Sequence, residues 1–179
     1  MLFFPESYRR TYQFSETDNS NILLRAEVLN KLNSNKTPII ITYPEALSEK
    51  VISRNELKKQ TIKLQIGQTC DIENLIEEFE KLNFVQSDFV TDPGQFSVRG
   101  GIVDVFSFAN EYPYRIEFNE DELESIRTFD INTQLSIENH KNVVIIPNTE
   151  AKKTNSKKTS FINYLPNNSQ LWIKDISFV

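Results

Sequence analysis

The apolar positions change period several times between Thr61 and Asp130. Ile62, Leu64 and Ile66 alternate with Lys63 and Gln65, the period-two pattern of a strand with one buried face. Gly67 ends that run. After Asp71, a candidate N-cap, Ile72, Leu75, Ile76, Phe79 and Leu82 recur at helical spacing, which predicts a helix to about Asn83. Phe84 to Val90 reads as strand again, and Pro93-Gly94 as a turn. Phe96 and Val98 then share one face of a strand, with Ser97 and Arg99 on the other. Gly100-Gly101 interrupts the pattern, which marks a bend, a bulge or a close backbone approach, and Ile102 to Phe106 is a second β-branched run. Next, Tyr114, Ile116 and Phe118 share a face opposite Arg115 and Glu117. The polar turn Asn119 to Asp121 leads into a last strand, Glu122 to Asp130. Residues 61–142 therefore predict an α+β domain: an antiparallel-rich sheet with a helix on one face.

The flanks read differently. Leu2 to Phe4 is a short strand stopped by Pro5, and Tyr8 to Arg10 is a candidate extension of it. Glu16 to Ser20 supplies an N-cap at Asp18, Asn19 or Ser20 for a helix over about 21–33. Ile39 to Ile41 is the continuous apolar run of a strand buried on both faces, and Pro44 opens a helical turn. Val51, Ile52 and Leu57 anchor an otherwise polar connection. Segment 1–60 is thus part of an α/β layer, with too few strands to close a sheet alone. Val143 to Ile146 is another buried-type run, expected to return to the first sheet, so that 61–142 is inserted between 1–60 and 143–179. Ala151 to Ser160 reads as a flexible linker, Phe161 to Leu165 as a short amphipathic piece and Leu171 to Ile173 as a last strand before Ile176 to Val179.

Charge sharpens this division. Residues 61–150 hold six Lys/Arg against seventeen Asp/Glu, a net −11, whereas 1–60 carry +2 and 151–179 carry +4. A block that acidic repels nucleic-acid phosphates and suits a basic protein surface or plain solubility. Weak or no direct DNA binding is therefore expected. No apolar run approaches the roughly 20 residues of a membrane span, and Met1-Leu2-Phe3-Phe4-Pro5 lacks the basic start of a signal peptide. The lone Cys70 reads as a core or helix-edge residue, and a single cysteine fits a reducing cytoplasm.

Catalytic chemistry finds little support. A phosphate loop needs Gly-x-x-x-x-Gly-Lys-Ser/Thr, and here Gly94 and Gly100 have five residues between them instead of four, and Gly101, not lysine, follows Gly100. The single histidine, His140, lies in a polar stretch with no nucleophile beside it. Glu120, Asp121, Glu122 and Glu124 read as a solvated hairpin turn rather than a metal site. No catalytic residue, cofactor or metal is expected. Arg99 and Arg115 are the sharper candidates. Both take the parity opposite the apolar face, so that in neighbouring strands both guanidiniums would project from one exposed surface. Two uses stay open on the residues alone: charge-assisted bonds to a partner's carboxylates, or pairing within the domain with Glu117 or Glu122.

The stretch Gly94-Gln-Phe-Ser-Val-Arg-Gly-Gly-Ile-Val-Asp-Val-Phe106, with Glu111-Tyr-Pro-Tyr-Arg-Ile-Glu-Phe118 and Asp121 to Asp130, resembles the UvrB-homology module of bacterial transcription-repair coupling factors. More narrowly, it is similar to the domain, shared with UvrB, that docks on UvrA. Weaker likeness covers Leu2 to Pro5, Asn21 to Leu29, Ile39 to Leu47 and Val143 to Pro147. The resemblance implies an excised piece of a larger cytoplasmic protein: a UvrA-interaction domain inserted in a partial helicase-like α/β unit without motor function. It implies a non-catalytic module that recruits UvrA, and with it nucleotide excision repair, to stalled RNA polymerase. Its other partners would be the polymerase-binding and translocase domains of the parent coupling factor. The alternative within the same resemblance is an ATP-dependent, UvrB-type helicase fragment that binds DNA. The resemblance places Arg99 and Arg115 on the UvrA-contacting surface, with Glu117 beside them, and Gly94, Phe96, Gly100 and Gly101 as the structural motif. One departure stands out. The family pattern Phe-Phe-Gly-Asp-Glu is here Phe118-Asn119-Glu120-Asp121-Glu122, so Asn119 takes the place of an apolar docking anchor.

Overall fold

The computed structural model describes residues 1–7, 19–34, 36–150 and 157–173. In chain order the elements are β1 (Leu2–Phe3), α1 (Asn19–Asn33), β2 (Ile40–Ile41), α2 (Pro44–Ser48), β3 (Lys50–Ile52), α3 (Arg54–Lys59), β4 (Ile62–Gln65), α4 (Ile72–Lys81), β5 (Val85–Gln86), β6 (Gln95–Arg99), β7 (Ile102–Val105), β8 (Tyr114–Asn119), β9 (Glu122–Phe129), β10 (Ser136–Asn139), β11 (Asn142–Ile145), β12 (Lys158–Ser160) and α5 (Phe161–Tyr164). The fold class is α+β. The chain divides into two compact units, Met1–Lys59 with Thr149–Val179, and Gln60–Asn148.

In the second unit six strands form one sheet in the order β10-β9-β8-β7-β6-β5. Only the β5–β6 pair is parallel. The alternation of each strand decides what lies under the sheet. Phe96, Val103, Val105, Tyr114, Ile116, Phe118, Leu123 and Ile126 point to one face and join a single core with Leu75 and Phe79 of α4. Asp71 caps that helix by accepting from the backbone N–H groups of Glu73 at 2.7 Å and Asn74 at 3.3 Å. The core is completed by a separate two-stranded ribbon, β4 with β11, which contributes Ile62, Leu64, Val143 and Ile145.

That ribbon corrects the expected return of 143–146 to the first sheet. β11 pairs antiparallel with β4, from Asn142 opposite Gln65 to Ile145 opposite Ile62. Its alternate residues Val143 and Ile145 fill the same core as Ile62 and Leu64, which fixes the pairing. Ile66, by contrast, lies past the strand and is exposed. Phe84 to Val90 supplies only the two-residue β5, and β10 takes up Ser136 to Asn139, next to the polar stretch of His140, where the sequence pattern predicts no element.

In the first unit β1 pairs parallel with β2, a two-stranded sheet among the described residues. Ile39 and Ile41 are consequently exposed, not buried on both faces as the run suggested. The segment that pairs back is β12, antiparallel to β3, so residues 158–160 of the expected linker form a strand. Val51, Ile52 and Leu57 are buried as the anchors of their stretch. Phe4 stacks on Phe161 with ring centroids 3.8 Å apart. The fully buried Arg25 donates to Glu150 at 2.8 Å and to the Pro5 carbonyl at 2.7 Å and forms an ion pair with Glu49 at 2.9 Å, tying three distant segments together. Leu171 to Ile173 is not a strand. Tyr8 to Arg10, Asp18 and Ile176 to Val179 lie outside the described residues.

Candidate functional site

The face of the six-stranded sheet opposite α4 is polar, and its layout follows from register. Gly100 and Gly101 form a two-residue hairpin turn, so Arg99 pairs with Ile102 and Ser97 with Asp104. β7 and β8 then set Asp104 opposite Arg115 and Ile102 opposite Glu117. β8 and β9 set Arg115 opposite Arg127 and Glu117 opposite Ser125. Two rows cross the sheet: Ser97, Asp104, Arg115 and Arg127 in one, Arg99, Ile102, Glu117 and Ser125 in the next.

Two glycines of the motif are required by space. A Cβ on Gly101 would stand 2.8 Å from the Phe118 carbonyl oxygen, and one on Gly94, whose φ is +89°, would stand 2.7 Å from the Phe108 ring. Phe96 is fully buried beneath the same strand.

Asp104 is the centre of the cluster. Its side chain is 2% exposed and both oxygens are used. Arg115 grips it with two parallel bonds, Nε to Oδ1 and Nη2 to Oδ2, each 2.8 Å. Arg99 Nη2 reaches Oδ2 diagonally at 2.6 Å. Arg115 also donates to Gln134 Oε1 at 2.9 Å and lies 4.3 Å from the Phe129 ring centroid. Arg99 Nη1 donates to Ser97 Oγ at 2.9 Å and the Asp88 carbonyl at 3.2 Å, with the Phe89 ring 5.7 Å away. The hydrogen bond to Asp104 holds the Arg115 pKa above its ordinary value despite partial desolvation.

These contacts change the expected picture of the arginines. They share one face, as their parity implies, but both are engaged within the fold, and by Asp104 rather than Glu117 or Glu122. Their exposure also differs: the Arg99 side chain is 39% exposed and that of Arg115 only 14%. Arg115 is therefore not the solvent-exposed residue its strand position suggested. Each keeps unused donors all the same. Arg115 Nη1 has no hydrogen-bond partner among the described residues, and the bonds of Arg99 occupy three of its five N–H groups.

Glu117 belongs to a second pair. It accepts from Arg127 through both oxygens and from Ser125 Oγ at 2.6 Å. The hydrogen bonds from Arg127 and then Ser125 pull its carboxyl below the usual range. Arg115 and Arg127 face each other directly, a repulsive arrangement in a sheet, and the carboxylates of Asp104 and Glu117 draw them apart. Asn119 sits exposed at the end of β8, opposite Glu122 and away from the Asp104 cluster's row. Glu120, first in the two-residue loop that follows, has a φ of 56°.

Asp104, Arg127, Phe89, Phe129 and Gln134 were not singled out from the sequence. Asp104 and Arg127 were accessible once Gly100-Gly101 is taken as a two-residue turn, because that count alone sets the rows. Phe89 is 65% exposed and, with Gln86, Ser87, Asp88 and Ser97 to Arg99, lines an open groove of about 440 Å³ beside the cluster. Elsewhere, His140 lies edge-on to Tyr114 with centroids 5.7 Å apart. Burial, then the charges of Glu78 and Asp71, raises the Cys70 thiol pKa, which disfavours the reactive thiolate. Among the described residues no group of three or more His, Cys, Asp or Glu side chains is arranged to hold a metal ion, and no helix is long and apolar enough to cross a membrane.

Residues 62–150 match the family model described as the UvrB interaction domain. The chain is 32% identical over 126 residues to a transcription-repair-coupling factor of Bacillus subtilis, a match covering 70% of this chain and 11% of the relative. It is 33% identical over 170 residues to that of Rickettsia bellii, covering 93% and 15%. The Escherichia coli protein of the same name is 25% identical over 123 residues, covering 69% and 11%. The chain thus spans between about a tenth and a sixth of the length of these relatives. The matched segment coincides closely with the unit that carries the polar face, and the chain aligns over residues 62–150 to the UvrB interaction domain and more widely to bacterial transcription-repair-coupling factors.

Proposed function

We propose that the chain is a non-catalytic docking module that binds UvrA and so brings nucleotide excision repair to a stalled RNA polymerase, as part of a longer cytoplasmic coupling factor. The observation that carries this reading is the arginine pair on Asp104. Two guanidiniums are held on one sheet face of an otherwise acidic unit, with donors left over, in the segment that matches the UvrB interaction domain. Such a pair suits carboxylates on a partner protein. Glu117 then acts by holding Arg127, and Asn119 marks the edge of the docking surface. We read the first unit as the partial helicase-like α/β segment in which the docking domain is inserted, with the polymerase-binding and translocase functions elsewhere in the parent protein. The net −11 of residues 61–150 and the absent phosphate loop support weak or no DNA binding and no nucleotide hydrolysis in this segment. The test is a calorimetric titration of UvrA into the 179-residue chain, with and without nucleotide. Saturable binding is expected; no binding in either condition refutes the reading.

A further inference from the structure

We infer that Asp104 is a positioning residue of the docking face: it sets both arginines for a partner's carboxylate without touching the partner itself. The inference rests on the docking reading above and adds a residue to it. The carboxylate is 2% exposed, and both its oxygens accept from the arginines, Oδ1 from Arg115 Nε and Oδ2 from Arg115 Nη2 and Arg99 Nη2. Burial keeps it from an incoming group. Its position within the fold instead solves a problem of charge. Two guanidiniums converging on one spot repel each other, and long arginine side chains in solution sample many rotamers. A shared anion removes both obstacles before the partner arrives. The supporting contacts are arranged to the same end, with Gln134 and Phe129 around Arg115 and Ser97 and the Asp88 carbonyl around Arg99. What stays unused is Nη1 of Arg115 and Nε of Arg99, among the described residues.

Asp104→Asn separates this role from simple electrostatics by sign. Removing one negative charge makes the face more positive. A long-range field effect would then tighten the complex with an acidic partner surface. Loss of positioning weakens it, because each arginine must be immobilised on binding, at roughly two- to tenfold per side chain.

UvrA is titrated into the full chain and into the Asp104→Asn variant, in the parent and in the Arg99→Ala background. The expected result is a loss of about tenfold or more for Asp104→Asn in the parent background. In the Arg99→Ala background the loss should be at least threefold smaller, because one of the two side chains that Asp104 holds is gone. Unchanged or tighter binding overturns the inference, as does an equal loss in both backgrounds. If Asp104→Asn shows no cooperative melting, the pair Asp104→Leu/Arg115→Met is compared with Arg115→Met alone, since apolar replacement of a whole buried pair is often tolerated. Weaker binding by the double variant supports positioning of Arg99 by Asp104, and equal binding overturns it. A parent chain that binds no UvrA overturns the docking reading and this inference together; binding by the parent with an indifferent Asp104→Asn overturns this inference alone.

Discussion

Arg115→Ala and Arg99→Ala should differ sharply in their cost to the fold, although the two arginines share one carboxylate. Arg115 supplies two of the three bonds to the buried Asp104, is 14% exposed and stacks on Phe129. Removing one partner of a buried pair costs about 3–5 kcal/mol when the other is left alone. Here Arg99 stays bound to Asp104, so the loss should be smaller, about 2–3 kcal/mol. Arg99 supplies one bond from a side chain that is 39% exposed. Solvent screening discounts such a pair to about 0–1 kcal/mol. For a unit of this size, 1 kcal/mol corresponds to roughly 4–8 °C in Tm. Arg115→Ala should therefore melt about 8–24 °C lower, and Arg99→Ala no more than about 8 °C lower, by calorimetry or circular dichroism. Added salt should shrink the Arg99 effect further and leave most of the Arg115 effect. Equal losses, or a neutral Arg115→Ala, would refute the unequal sharing of Asp104.

Further expectations follow from single positions. Glu120 has a positive φ at the first loop position of the β8–β9 hairpin, where glycine is preferred, so Glu120→Gly should stabilise by about 1 kcal/mol in urea melts; a destabilised variant would contradict that account. Gly101→Ala forces a Cβ against the Phe118 carbonyl and should destabilise by about 2 kcal/mol or more, and a neutral result would show that β7 and β8 can part without cost. Glu117 has a lowered folded pKa, so its contribution is present above the unfolded value of about 4.3 and is lost as pH falls through the folded one. Stability curves of the parent and Glu117→Gln should accordingly converge at acid pH and separate above it; a gap that persists in acid would assign the effect to packing.

Local patterns were legible where local physics decides them. Asp71 and the helical stripe behind it, and the alternation of Tyr114, Ile116 and Phe118, each specify an element and its buried face. Partners across the chain were not legible in the same way. Val143 to Ile146 announces burial but not which strand it joins, and β4 is some eighty residues away in sequence. Lys158 to Ser160 is polar throughout and becomes a strand because Lys50 to Ile52 offers an edge. Ser136 to Asn139 has neither an apolar face nor β-branched density, so only pairing with β9 reveals it as strand. Leu171 to Ile173 has the composition of a strand and no strand partner among the described residues. At the site, parity implied that both arginines share one face, and they do. It could not show that Asp104, on the intervening strand, lies within reach of both. That requires the register set by the Gly100-Gly101 turn.

Arg99→Ala gives the most direct test of docking, because Arg99 is the arginine whose removal should least disturb the fold. UvrA is titrated into the parent and the variant at one salt concentration, beside their melting curves. Truncating one partner of a charge-assisted interfacial pair typically costs about 2–5 kcal/mol, roughly thirtyfold or more in affinity. The account predicts a loss of that size with a Tm within about 8 °C of the parent. Affinity equal to the parent, with both proteins folded, would place the docking surface elsewhere.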